Sequence, residues 1–170
     1  KSICTDLEYV QIASINKGNA SLGAFFIPGI GTKEDIEMFA AEGGDFIRIG
    51  CDVSKSDDAI EYIGYAKSQN LFVGYNFMKS YVLSPFELCK RASRIASEGV
   101  DIIALVDSAG GMLPDEVGRY IKLLKETTET RIGFHGHNNL LLANANNIAA
   151  LQNGADMIDT TLMGMGRGAG

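Results

Sequence analysis

Several things are scarce in this sequence, and each scarcity removes a class of protein. No apolar run approaches the roughly 20 residues that a membrane-spanning helix needs; the longest, around Ile102 to Val106, is the size of a strand. Cationic residues are not in surplus. Fifteen Lys and Arg stand against 21 Asp and Glu, for a formal net charge of -6, and they form no basic stripe. That balance argues against a nucleic-acid partner and, with the missing apolar run, against a membrane one. Only three cysteines occur, Cys4, Cys51 and Cys89, at wide and irregular spacing. They match neither a disulfide framework nor a paired zinc motif, so they read as reduced thiols of a cytoplasmic protein. No signal peptide precedes Lys1. Nor does an initiator Met, from which we expect the chain to begin inside a longer polypeptide.

What is present is globular. The 170 residues, 46% hydrophobic and 21% charged, suit one domain with a single core. Short apolar runs recur at a period of roughly 25 to 30 residues. Six read as strands: 22–27, 46–49, 71–77, 102–106, 132–137 and 157–162. They are nearly continuous in Ile, Val and Phe, as parallel strands covered on both faces are. Amphipathic helices lie between them. Val117, Ile121 and Leu124 fall at helical spacing, as do Leu88, Ala92 and Ile95. Ser84-Pro85-Phe86-Glu87 carries an N-cap, a first-turn Pro and a capping-box Glu. Glu98-Gly99 and Asn153-Gly154 read as helix stops, and 6–15 as a further helix. Periodicity leaves two architectures open, a doubly wound open sheet or a barrel of about 250 residues and eight strands lacking about two of them. Gly29-Ile30-Gly31 is too short for the phosphate-binding fingerprint of the open sheet.

The chemistry-bearing residues cluster in three segments. In Gly133-Phe134-His135-Gly136-His137 the only two histidines are one pleat apart, so both point to the same face of a strand. They fall at its C-terminal end, where barrel active sites assemble. Two imidazoles so placed can take adjacent positions around one metal ion, or can be structural residues bonded to backbone. In Val106-Asp107-Ser108-Ala109-Gly110-Gly111, polar Asp107 and Ser108 follow an apolar strand abruptly. A hydroxyl and free N–H groups there suit a substrate carboxylate, and a plain turn cap suits the same residues. The third segment, Gly164 to Gly170, allows a close loop against a ligand or a flexible end. Asn76, Lys79 and Ser80 are secondary candidates for the same mouth. Phe25 and Ile27 share a strand face that suits a pocket wall or plain packing, and Asp45 and Asp52 flank the second strand as caps or solvent-facing residues.

Taken in order, these segments resemble the metal-dependent aldolases and lyases, a family that includes 4-hydroxy-2-oxovalerate aldolase, hydroxymethylglutaryl-CoA lyase and the isopropylmalate and homocitrate synthases. The likeness covers essentially the whole chain. Val106 to Gly110 followed by Met112-Leu113-Pro114, the His135-Gly136-His137 strand, the 164–170 glycine run and Ile27-Pro28-Gly29-Ile30-Gly31 resemble the aldolase branch.

The resemblance implies a TIM-type (β/α)8 barrel, incomplete in residues 1–170, with the first two strands and the C-terminal domain lacking. It implies that His135 and His137 ligate a divalent metal, Mn2+ in the first place and Mg2+, Co2+ or Zn2+ as alternatives. It implies that Ser108, with Asp107, serves the carboxylate of a 2-oxo acid substrate. The family's strand-one Arg, Asp and His match nothing here, and Asn138 stands where the aldolases commonly carry His. The expected reaction is therefore cleavage of a 4-hydroxy-2-oxo acid to pyruvate and an aldehyde by the parent protein, with negligible turnover by this segment alone. An aldehyde dehydrogenase partner for the parent protein, and self-association through open sheet edges, complete the expectations. An acyl-CoA lyase or Claisen-type synthase, or a non-catalytic barrel, are the rival readings.

Overall fold

A computed structural model describes residues 3–168. They form six parallel strands alternating with helices: α1 (Asp6–Asn16), β1 (Gly23–Phe26), α2 (Lys33–Ala41), β2 (Phe46–Asp52), α3 (Ile60–Ser68), β3 (Phe72–Met78), α4 (Pro85–Ala96), β4 (Ile102–Asp107), α5 (Pro114–Thr127), β5 (Arg131–Gly136), α6 (Ala143–Gln152) and β6 (Met157–Ile158). The expected helix starts and stops are in place. Ser84 and Glu87 close a capping box on α4, and Gly99 and Gly154 take positive φ after α4 and α6.

Strand order decides between the two architectures. The sheet runs β1-β2-β3-β4-β5-β6, so it has no point where the order reverses, and the doubly wound fold requires one. The sheet is also curled. In a flat sheet β2 and β6 would lie four spacings apart, about 19 Å. Yet Arg48 on β2 meets Asp159, one residue past β6, at 2.6 Å. Only an arc bent around its inner face brings those residues together, and that arc is a partial (β/α) barrel.

Side-chain alternation sorts the two faces. Ile47, Ile49, Val73, Tyr75, Phe77, Ile103, Leu105, Ile132 and Phe134 point outward into one core with the helices, which contribute Ile63, Leu88, Ala92, Ile95, Val117, Ile121 and Leu124. The inward positions include the smaller or polar Arg48, Gly50, Gly74, Asn76, Ala104, Gly133 and His135, beside the apolar Ile102 and Val106. Cys51 and Cys89 are buried. Among the described residues, no helix is long and apolar enough to cross a membrane.

The N-terminal end of the sheet is held by one arrangement used three times. Asp45, Asp101 and Asp156 each precede a strand. Their carboxylates accept the backbone N–H of Leu22, Val73 and Ile132, and each also takes a lysine ammonium, from Lys17, Lys67 and Lys125. Each Asp returns its own N–H to the same neighbour's carbonyl. Asp45, read from sequence as a cap or a solvent-facing residue, is thereby a cap at the end of the barrel opposite the mouth.

Candidate active site

The two imidazoles sit at the C-terminal mouth of the arc. β5 ends at Gly136, so His137 lies one residue beyond the strand rather than within it. Its N–H donates to the Asp107 carbonyl at 3.2 Å, which prolongs the β4 pairing far enough to keep both rings on the same side. Their centroids are 5.1 Å apart and their planes 77° to one another. Each Nδ1 faces an acceptor: Asp159 Oδ2 at 2.5 Å for His135, and the Arg167 carbonyl at 2.9 Å for His137. A neutral imidazole has one donor and one acceptor nitrogen. With both Nδ1 atoms donating, neither Nε2 has a hydrogen-bond partner among the described residues, and both lone pairs are left for a ligand.

That donor chemistry fits a divalent ion of the imidazole-binding kind. It does not complete one, since the described residues contain no group of three or more His, Cys, Asp or Glu able to hold a metal. The rings open onto a cleft of about 710 Å³ whose lining includes Phe25, Ile27, Asn76, Lys79, Val106 and Ser108. Its lining combines apolar walls with a few polar groups, as small-molecule sites in general do.

Two glycines allow the loops to close on the histidine strand. Gly110 has φ +63°, and a Cβ there would lie 2.5 Å from the His137 carbonyl oxygen; at Gly168, φ +60°, it would lie 3.0 Å from His137 Nδ1. The close approach is to the strand that carries the imidazoles. Residues 169 and 170 of the glycine run lie outside the described residues.

The segment after β4 divides its two polar residues. Asp107 is fully buried, and its two oxygens accept the N–H groups of Gly111 and Met112 at 3.2 and 2.9 Å. The Leu113 N–H goes to Glu116. The expected cradle of free N–H groups is therefore absent there, because Asp107 and Glu116 consume those donors. Ser108 does line the cleft, and its hydroxyl accepts the Lys79 N–H at 2.9 Å.

Lys79 holds φ +57°, and its ammonium is paired with Asp52 at 2.7 Å. Hydrogen bonds from Lys79 and then Ser54 keep the Asp52 carboxyl well below the usual carboxylate range. Ser80 is buried between Phe77 and Val106 and does not line the mouth. Asn76 does, accepting from Arg48 Nε at 3.1 Å.

Arg48 and Asp159 were not among the sequence candidates. The strand expected over 157–162 stops at Ile158, beyond which Met163 and Gly164 turn the chain through positive φ. A charged residue just after an apolar run was the available signal for Asp159. Burial works to raise the Asp159 carboxyl, but His135 and Arg48 outweigh it and hold the group below its ordinary value.

A curled parallel sheet with an imidazole pair at its C-terminal mouth defines a partial (β/α) barrel with a candidate cation site. The profile of the HMGL-like family matches residues 35–170, and the chain belongs to that family. It is 36% identical over 98% of its length to 4-hydroxy-2-oxovalerate aldolase of Chloroflexus aurantiacus, covering 48% of that protein. It is 37% identical over 98% of its length to oxaloacetate decarboxylase of Mycobacterium tuberculosis, covering 49%. The chain thus spans about half the length of the curated relatives it matches. Among solved structures, the carboxyl transferase domain of Rhizobium etli pyruvate carboxylase with pyruvate superposes with a TM-score of 0.84 at 20% identity. That match covers 93% of this chain and 30% of the other, and shows the shared fold.

Proposed function

We propose that residues 1–170 are the imidazole-bearing part of a divalent-metal-dependent aldolase that cleaves a 4-hydroxy-2-oxo acid to pyruvate and an aldehyde. The observation that carries the reading is the pair of uncommitted Nε2 atoms on rings 5.1 Å apart at the mouth of the arc. The aldolase relatives supply the reaction. A bound divalent ion, Mn2+ in first place, would polarise the 2-oxo carbonyl and counter the charge that develops as the C3–C4 bond breaks.

This chain's own residues set the geometry. His135 and His137 present the two nitrogen donors. The Ser108 hydroxyl, held by the Lys79 backbone, is placed to donate to the substrate carboxylate. Phe25, Ile27 and Val106 exclude water from the apolar side. Asp107 shapes the loop and does not touch substrate. With only two protein donors, the segment by itself is expected to turn over negligibly. In the longer protein, an aldehyde dehydrogenase is the fitting acceptor of the aldehyde. In this segment by itself, the edges of β1 and β6 that carry no neighbouring strand among the described residues favour association with a second copy.

The oxaloacetate decarboxylase relative supports a second reading, in which the same C3–C4 bond breaks and carbon dioxide leaves in place of the aldehyde. Both readings require that a pyruvate-enolate analogue bind only with the metal. Oxalate is that probe. Its binding to the chain in Mn2+ should be measurable by water-proton relaxation and should vanish in His135→Ala and His137→Ala. Equal oxalate binding in excess chelator would refute both readings. Pyruvate release from oxaloacetate but not from 4-hydroxy-2-oxovalerate, by the longer protein, would select the second.

A further inference from the structure

We propose that Asp159 and Arg48 are positioning residues for the cation site. Asp159 fixes the tautomer and ring plane of His135, and Arg48, reaching from the opposite side of the arc, fixes Asp159. The proposal rests on the metal reading of the imidazole pair; its first test does not.

The chemistry of the contact sets the tautomer. A carboxylate is an acceptor only. With Asp159 Oδ2 2.5 Å from His135 Nδ1, the proton of a neutral ring lies on Nδ1 and the lone pair on Nε2. A carboxylate behind an imidazole also makes the far nitrogen a better donor to a cation and removes the ring's freedom to rotate.

Asp159 cannot swing away. Its N–H donates to the Phe134 carbonyl at 3.1 Å, continuing the β5–β6 ladder, and its own carbonyl accepts from Asn147 at 3.2 Å. The same Oδ2 is held at 2.6 Å by Arg48 Nη1. Arg48 is oriented in turn by its Nε bond to Asn76. Four elements, β2, β3, β5 and the end of β6, therefore converge on one imidazole.

Two comparisons argue that this is more than a bridge that holds strands together. A largely buried ion pair is a poor source of stability, because desolvation offsets most of the attraction. The guanidinium is also left incompletely paired, since Arg48 Nη2 is buried with no hydrogen-bond partner among the described residues. His137 provides the internal contrast. Its Nδ1 rests on a neutral backbone carbonyl of the glycine-rich 164–168 loop. One imidazole is thus set by a charged cross-barrel chain and the other by a loop. Changes at Asp159 should reach His135 and leave His137 alone.

The test uses the 170-residue chain, ¹⁵N-labelled at histidine, with Asp159→Asn, Asp159→Glu and Arg48→Lys. Long-range ¹H–¹⁵N spectra without metal report each tautomer, and Mn2+ titration reports affinity. We expect His135 to be the Nδ1–H tautomer in the parent chain. Asp159→Asn should populate the other tautomer at His135 only and weaken Mn2+ by about 10–100-fold. Asp159→Glu should recover part of both, and Arg48→Lys should give an intermediate loss. If Asp159→Asn does not fold, Arg48→Lys and Asp159→Glu carry the same two readouts. An Nε2–H tautomer at His135 in the parent chain, or tautomer and affinity unchanged within twofold in the variants, would overturn the proposal. A parent chain that binds no Mn2+ would instead remove the metal reading, and the metal-free spectra would still decide the positioning claim.

Discussion

The two ends of this sheet use the same residue types to opposite purpose. At the N-terminal end, Asp45, Asp101 and Asp156 each meet one lysine and one strand N–H, and each repeats the others bond for bond. At the C-terminal end, the Asp159 carboxylate also meets one cation, Arg48, but its second partner is an imidazole whose other nitrogen has no hydrogen-bond partner among the described residues. An acid–base pair in isolation does not tell stability from function. What the neighbouring atoms leave unsatisfied does. The first end is closed and the second end is open, which matches the general division of labour between the two faces of a barrel.

The comparison can be broken in several ways. The largest effect is expected at the open end: replacing His135 and His137 together by Ala should reduce divalent-ion affinity more than about 100-fold, beyond the loss typical of an outer partner. The melting temperature should hardly move, and calorimetric titration alongside thermal melting checks both. Asp107→Ala should do the reverse. It orphans the N–H groups of Gly111 and Met112 around a fully buried carboxylate and should cost about 2–4 kcal/mol in urea unfolding. A cost below about 1 kcal/mol would show that those donors find other partners.

At the closed end, Asp101→Ala removes the partner of the buried Val73 N–H and should cost about 1–2 kcal/mol without altering metal uptake. The clamps lie on alternate strands and share no partner, so a second deletion at Asp156 should add to the first.

The smallest effect is a pH dependence. The Lys17 contact and then the Leu22 N–H lower the Asp45 carboxyl; at Asp156, burial opposes but Lys125 and the Ile132 N–H prevail. Carboxyls depressed in the folded state bind fewer protons there than in the unfolded chain. Their stability contribution is complete above the ordinary carboxylate value of about 3.9 and fades as pH falls through the folded value. The urea midpoint should therefore fall below about pH 4, and less steeply in Asp45→Asn. An unchanged slope would remove these clamps from the acid response.

Much of the fold was legible because it is written in local signals. The apolar runs placed all six strands, the last of them four residues too long, and helical spacing placed α1, α4 and α5, while the Ser84 box and Gly99 stop marked the ends of α4. The arc itself was not legible from periodicity, because curvature shows only in contacts such as Arg48 with Asp159, separated by 111 residues in sequence. The shared face of His135 and His137 followed from pleat geometry. The burial of Asp107 did not, because a polar residue after a strand reads the same whether it faces solvent, substrate or its own loop. One repeat was visible and went unread. Gly43-Gly44-Asp45, Gly99-Val100-Asp101 and Gly154-Ala155-Asp156 share a Gly-x-Asp pattern, 56 and then 55 residues apart. It recurs over two βα units, a longer period than the one that organises the strands.

The central claim is that two imidazole nitrogens from one strand end meet on one cation. Electron spin-echo envelope modulation of Mn2+ bound to the histidine-¹⁵N-labelled chain tests it directly. The account predicts couplings from two directly bound histidine nitrogens, reduced to one in either His135→Ala or His137→Ala. A bound ion with no histidine coupling, or with couplings that survive both substitutions, would contradict it.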